Sequence, residues 1–277
     1  MKTPIRILLV FSLVWTLSRS AIYFLPGDPA EFLVHESLVQ VTPDDLRSKM
    51  DLDRGMIRRI LSLPKNESLI QKQSTTTLVS RAFIKSATLT LLTLLLSLPA
   101  TLGLLYLHFQ SGRRRTLSHA ISIVIASTPL FVAGPLLLRC FQFPNPILPA
   151  LTLSLYLTGF WYRSLSKRLD ALLPESSVPG ARALGFPEFQ VFSRNLLAPA
   201  LGSFLAYFGT QLGILFNGSL IVETIFQWNG LGSLLAESVL SRDYPVIEVC
   251  LLVVTLLTLL SQQMGYWLQS LWEPRLR

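Results

Sequence analysis

Six apolar stretches, each close to the length a helix needs to cross a bilayer, leave this chain of 277 residues few ways to fold. They cover about residues 5–25, 83–108, 117–140, 146–163, 197–220 and 246–271. Inside hydrocarbon every backbone N–H and C=O must find a partner within the protein, which helices of about 20 residues achieve. Composition agrees: 51% of residues are hydrophobic, only 14% are charged, and mean hydropathy is +0.50. A soluble domain could not solvate such a surface. We therefore expect an all-α membrane protein, one domain over residues 1–277, with about six transmembrane helices.

The net charge of +8 reads as topology and excludes nucleic acid as the explanation. With the amino terminus inside, Lys2, Arg6, Arg113, Arg114, Arg115, Arg163, Lys167, Arg168, Arg182, Arg194, Arg275 and Arg277 all face the cytoplasm, as the positive-inside bias requires. Both termini are then cytoplasmic. An external region of about residues 26–82 follows the first span, with eight basic and eight acidic residues in balance. The first span resembles a signal peptide, but it runs on to Leu25 without a small-residue cleavage site and is expected to remain as an anchor. Arg19 inside it is expected to snorkel toward the outer surface.

Prolines and glycines divide the rest. Leu25-Pro26-Gly27-Asp28-Pro29-Ala30 forces a turn after the first span, and short amphipathic pieces follow around 44–60. Gly112 with Arg113 to Arg115 gives an inner turn, Ser127-Thr128-Pro129-Leu130-Phe131 puts a proline mid-span, and Phe143-Pro144-Asn145-Pro146 makes a short outer turn before Leu148-Pro149-Ala150-Leu151-Thr152-Leu153. From about 164 to 196 the chain is polar and basic, and Pro174, Pro179 and Pro187 break it into pieces too short to cross. A last outer connection, 223–245, holds an Asn229-Gly230 turn and a short amphipathic helix over 233–240.

These pieces, in this order, resemble the permease subunits of binding-protein-dependent ABC importers, in particular the oligopeptide, dipeptide and nickel branch. Ala181-Arg182-Ala183-Leu184-Gly185, with Arg194-Asn195 and Pro199 behind it, is similar to that family's cytoplasmic coupling loop; Val222-Glu223-Thr224-Ile225-Phe226, Asn229-Gly230-Leu231-Gly232 and Arg242-Asp243-Tyr244-Pro245 are similar to its outer segment. The chain departs from the pattern at Pro179-Gly180, where the family has an acidic residue and alanine, and at Asn229, where it has proline. The resemblance implies a type I importer permease in a bacterial plasma membrane. It implies half of a translocation pathway for peptides or a similar small solute, alongside a second related permease, two cytoplasmic ATPases and an extracytoplasmic solute-binding protein. Ala181, Arg182, Ala183, Gly185 and Arg194 would couple to an ATPase. Glu223, Gly230, Gly232, Arg242 and Asp243 would line or gate the outer pathway, with Glu223 and Asp243 pairing with Arg242 or with a basic group on the second permease. The alternative is a membrane scaffold that holds partners without moving solute.

Motifs for chemistry are missing. No Gly-x4-Gly-Lys-Ser/Thr loop occurs, so ATP must be bound by another subunit. His35, His108 and His119 lack metalloprotease spacing, no Gly-x-Ser-x-Gly elbow is present, and Cys140 and Cys250 form no metal or disulfide framework. We expect no enzyme activity, cofactor or metal in this chain. The topology is directly testable: after replacement of Cys140 and Cys250, Arg114→Cys and Asn229→Cys should label from opposite sides of the membrane, and labelling from one side would overturn the six-span reading.

Overall fold

The computed structural model describes residues 2–20, 30–31, 34, 42–49, 56–62, 64–110, 112–141, 147–174 and 177–272. Helices account for all the regular structure among them. In order they are α1 (Lys2–Ser20), α2 (Pro43–Lys49), α3 (Met56–Leu61), α4 (Thr75–Phe109), α5 (Arg113–Ser127), α6 (Leu130–Cys140), α7 (Ile147–Leu172), α8 (Ser177–Ala183) and α9 (Glu188–Gln190). A π-helical turn, Val191–Leu197, leads into α10 (Ala198–Ile225), followed by α11 (Leu231–Leu240) and α12 (Tyr244–Trp272). The Pro26 to Pro29 turn, His35, the Phe143 to Pro146 turn, Arg275 and Arg277 lie outside the described residues.

Three expected spans are unbroken apolar helices: α4, α10 from Phe204 to Ile225, and α12 are long and apolar enough to cross a membrane. The third expected span is not straight. α5 and α6 meet the same standard only as a pair bent by 101°. Pro129 has no N–H to give and restricts the residue before it, and Thr128 is accordingly extended at φ −86°, ψ 113°. The two remaining candidates, α1 and α7, are helical but less apolar or shorter. For α7 the reason is burial. Leu153, Leu157, Trp161, Tyr162 and Leu169 are enclosed by protein, and a helix that meets little lipid needs less hydropathy.

Several boundaries differ from expectation. α4 starts at Thr75, absorbing part of the polar run before the expected span. α7 continues to Leu172, past the expected end at 163, so Lys167 and Arg168 sit on a helix. α10 runs to Ile225, which puts Glu223 in its last turn and not in the outer loop.

Contacts group the chain into two units, with boundaries inside α4, α10 and α12. One unit comprises Met1–Ala87 and Phe216–Leu259; the other comprises Thr88–Leu215 and Leu260–Arg277. In the first, Val79 and Ala82 of α4 pack with Leu231 of α11 and with Val246, Cys250 and Val254 of α12. A second cluster joins Ala30, Leu46 and Tyr244. In the second unit α7 is the centre, packed on α5 and α6. Gly159 lies so near Ala126 that an added Cβ would meet the Ala126 Cβ at 3.2 Å.

Each unit also carries a polar tie, fully buried in the first and partly buried in the second. In the second, His108 Nδ1 lies 3.0 Å from the Tyr162 hydroxyl and Nε2 3.0 Å from Asp170, while Arg115 donates to the same carboxylate at 2.6 Å. This joins α4, α5 and α7 at one end. In the first, Arg19 does not snorkel. Its guanidinium donates to Glu248 at 2.5 Å, the two side chains are 3% and 4% exposed, and a further N–H reaches the Ser62 hydroxyl at 2.6 Å. A charge that would be costly in lipid is thereby neutralised by a helix distant in sequence.

Removing one member of a buried pair leaves an unmatched charge, at a cost of about 3–5 kcal/mol, whereas an apolar replacement of both is far milder. Glu248→Leu should therefore lower the thermal unfolding midpoint in detergent sharply, and Arg19→Met combined with Glu248→Leu should recover most of the loss. Additive effects of the two changes would contradict the pairing.

Candidate functional site

Two groups of residues singled out in the sequence fold into separate local structures. The first is the outer segment between α10 and α12. Val222 and Phe226 are buried at the end of α10, and the helix closes with the Gln227 N–H on the Thr224 carbonyl and the Trp228 N–H on the Glu223 carbonyl. Gln227 takes the left-handed conformation that this closure requires, φ 52°. The reversal expected at Asn229-Gly230 is thus made earlier. Gly230 itself is extended, at φ −97° and ψ −169°.

Glycine is needed at 230 for a different reason. A Cβ there would lie 2.6 Å from the Glu223 carboxylate, and one at Gly232 would lie 2.6 Å from the Leu220 Cα. This closeness lets α11 begin directly over the Glu223 side chain. Glu223 is 0% exposed. Its Oε2 accepts from the Ser233 N–H at 3.0 Å; Oε1 accepts from Ser86 at 2.6 Å and from Ser219 at 3.0 Å. Ser86 in turn accepts from the Leu231 N–H at 2.8 Å. The carboxylate and its serine therefore fill two of the unsatisfied donors at the amino end of α11, where negative charge is also favoured by the helix dipole.

These donors to Glu223 are neutral, where the sequence suggested Arg242 or a basic group on a second permease. The Arg242 backbone has φ 53° and forms the left-handed close of α11, with its own N–H on Val239 and the Asp243 N–H on Ser238. Asp243 is buried and accepts from the Ser68 hydroxyl and from the Leu69 N–H at 3.2 Å. Burial pushes the Asp243 carboxyl up, and the hydrogen bonds from Ser68 and the backbone pull against it. Ser68, Ser86 and Ser233 carried no signal in the sequence, since nothing distinguishes a serine that caps a carboxylate from any other.

The second group is the basic segment from α8 to the π-helical turn. Ala181 is buried, whereas Arg182, Ala183 and Gly185 are exposed. Gly185 closes α8 at φ +78°, with its N–H on Arg182 and the Phe186 N–H on Ala181; a side chain there would strain the turn. Arg182 makes a two-pronged pair with Glu188, 3.1 Å on each arm, and lies 5.1 Å from the Phe109 ring centroid. Val178 and Val191 anchor the segment beneath. Arg194 is exposed on the π-helical turn. The sequence reading missed Leu184, Phe186 and Phe189, which are 79%, 45% and 67% exposed. Their apolar character beside the alanines was the available signal.

Among the described residues no group of three or more histidine, cysteine or carboxylate side chains is placed to hold a metal. Residues 100–277 match the family model described as binding-protein-dependent transport system inner membrane component. The nickel import system permease protein NikB of Staphylococcus aureus (strain MRSA252) is 26% identical, over 99% of this chain and 90% of that protein. The glutathione transport system permease protein GsiC of Pectobacterium atrosepticum is also 26% identical, over 92% and 91% respectively. In fold, the chain is similar to a solved structure titled crystal structure of an amino acid ABC transporter with histidines, with TM-score 0.58 and 19% identity over 72% of this chain and 94% of that one.

The capping geometry makes a sharp prediction for Glu223. Glu223→Gln turns one acceptor into a donor facing Ser233 N–H or the serines, which should cost about 1–3 kcal/mol and loosen the start of α11. Ser233→Cys on that background should react faster with an external thiol probe, and Ser86→Ala should have the same effect. Arg242→Gln, which does not touch the carboxylate, should not. Equal probe rates in all three would contradict the cap.

Proposed function

This chain belongs to the binding-protein-dependent transport system inner membrane components, the membrane permease subunits of ABC importers, and from that premise we propose that α8 with its flanking turns is its ATPase-coupling segment. It is an integral inner-membrane protein and a pore subunit, not an enzyme; proteins of this family work with a separate ATPase and a solute-binding protein. Nothing favours the scaffold alternative. In the reading we propose, residues 1–277 form one permease domain with both termini cytoplasmic. It pairs with a second, related permease above two ATPases.

One observation supports the coupling assignment: the exposed apolar side chains Leu184 and Phe186, just past the end of α8, and Phe189 on α9 surround a helix end closed by backbone hydrogen bonds. A surface that transmits force must be stiff and must offer apolar area to bury. Ala181 and Ala183 keep the helix slim, Gly185 fixes its exit, Arg182 is preset by Glu188, and Arg194 lies where the segment enters α10. Movement of an ATPase against α8 would pass through the π-helical turn into α10, and α10 ends on Glu223.

At the outer end we assign Glu223, Gly230, Gly232, Arg242 and Asp243 to the closure of α11 over the pathway. The Glu223 cap fixes where α11 begins, and Arg242 with Asp243 fixes where it ends. Opening would then require the capped carboxylate to give up its donors. The solute is small; relatives named for nickel import and glutathione transport support a metal chelate or a peptide.

Gly185→Val strains the close of α8, and Arg182→Glu puts two carboxylates side by side. Both variants should insert and fold yet co-purify with the ATPases at least about tenfold less well, equivalent to about 1.4 kcal/mol. Undiminished co-purification together with unchanged transport would remove the coupling assignment.

A further inference from the structure

We propose that the arginine-lined cavity formed by the end of α4, the start of α5 and the α8 segment binds a phosphate-class anion, as the headgroup of an anionic phospholipid or as free phosphate. The cavity has a volume of about 1020 Å³, and Tyr106, Phe109, Arg113, Arg114, Arg115 and Arg182 are among its lining residues. Four guanidinium groups around one space demand negative charge, and among the described residues only two of them have a carboxylate partner. Arg115 is matched by Asp170 and Arg182 by Glu188. Arg114 donates to the neutral amide oxygen of Gln110. Arg113 has no hydrogen-bonding or ionic partner among the described residues.

The backbone adds to this imbalance. Arg113 to Arg115 are the first three residues of α5, with no acidic residue in the first turn and no side chain capping the free N–H groups. Cations normally avoid this end of a helix, because the aligned peptide dipoles already make it positive. An anion in the cavity would meet guanidinium forks suited to phosphate oxygens and would offset both sources of positive potential. The setting suits a lipid. Leu117, Ile123 and Val124 on α5 are 53%, 61% and 67% exposed, giving acyl chains an apolar surface that begins one turn beyond the arginines. Tyr106 and Phe109, at the end of α4, add aromatic surface to the cavity wall. None of this depends on α8 docking an ATPase.

The test uses the full chain, purified in an uncharged detergent and titrated with short-chain phosphatidylglycerol, short-chain phosphatidylcholine or inorganic phosphate. Phosphatidylglycerol should bind well above phosphatidylcholine. Arg113→Gln with Arg114→Gln should weaken it by about 25-fold, or about fivefold for each arginine lost near a charged headgroup. Arg81→Gln with Lys85→Gln removes the same charge elsewhere and should leave binding unchanged. If inorganic phosphate also binds and displaces phosphatidylglycerol, the source is free phosphate; if it does neither, the source is lipid. Equal binding of the two lipids, or equal loss in both double variants, would overturn the site. So would loss of ATPase co-purification in the Arg113 and Arg114 variant with lipid binding intact, which would assign the arginines to a protein partner. Leu184→Ser separates the two proposals, since Leu184 is exposed and not among the cavity's lining residues, and its loss should impair ATPase association without changing lipid binding.

Discussion

The segment that joins α10 to α11 is organised by one fully buried carboxylate. Glu223 collects the Ser86 and Ser219 hydroxyls and the Ser233 N–H, and so ties α4, α10 and the start of α11 to a single point. A buried carboxylate without donors would be strongly unfavourable, and the buried amino end of a helix without an acceptor is unfavourable as well. Each solves the other's problem. Gly230 and Gly232 follow from this, because a Cβ at either position would keep α11 from approaching.

Two non-glycine residues bear the geometric consequence. Gln227 and Arg242 both adopt left-handed backbone, at φ 52° and 53°, which costs an ordinary side chain about 1 kcal/mol or more. The closures they make aim Trp228 and Asp243 at their partners: the Trp228 indole donates to the Lys85 carbonyl at 3.0 Å, and Asp243 holds the Ser68 turn. The Arg242 backbone thus has a part in the fold that charge-based reasoning could not assign.

Apolar periodicity and length made the helices legible in the sequence, and Gly185 was legible because a short helix followed by glycine announces its own ending. The partners of buried charges were not. Arg19 and Glu248 are 229 positions apart, and no local pattern says that one will reach the other. The same holds for Glu223, whose neighbours are neutral serines, so that an expectation built on opposite charges looked to Arg242. Prolines in two apolar helices behave differently: Pro99 sits within α4, while Pro129 breaks its helix. The residues around each proline do not reveal which outcome tertiary packing selects.

The break at Thr128 and Pro129 also bears on water. At a bend of 101° the ladder of backbone bonds is interrupted; the Thr128 hydroxyl turns back to the Val124 carbonyl at 2.8 Å and its N–H reaches Ile125 at 3.4 Å, but Pro129 offers no donor to continue the series. Hydrocarbon cannot supply one. The carbonyls next to the break therefore have to lie against protein or in contact with hydration, so this stretch of the subunit cannot face lipid on every side as a continuous helix could.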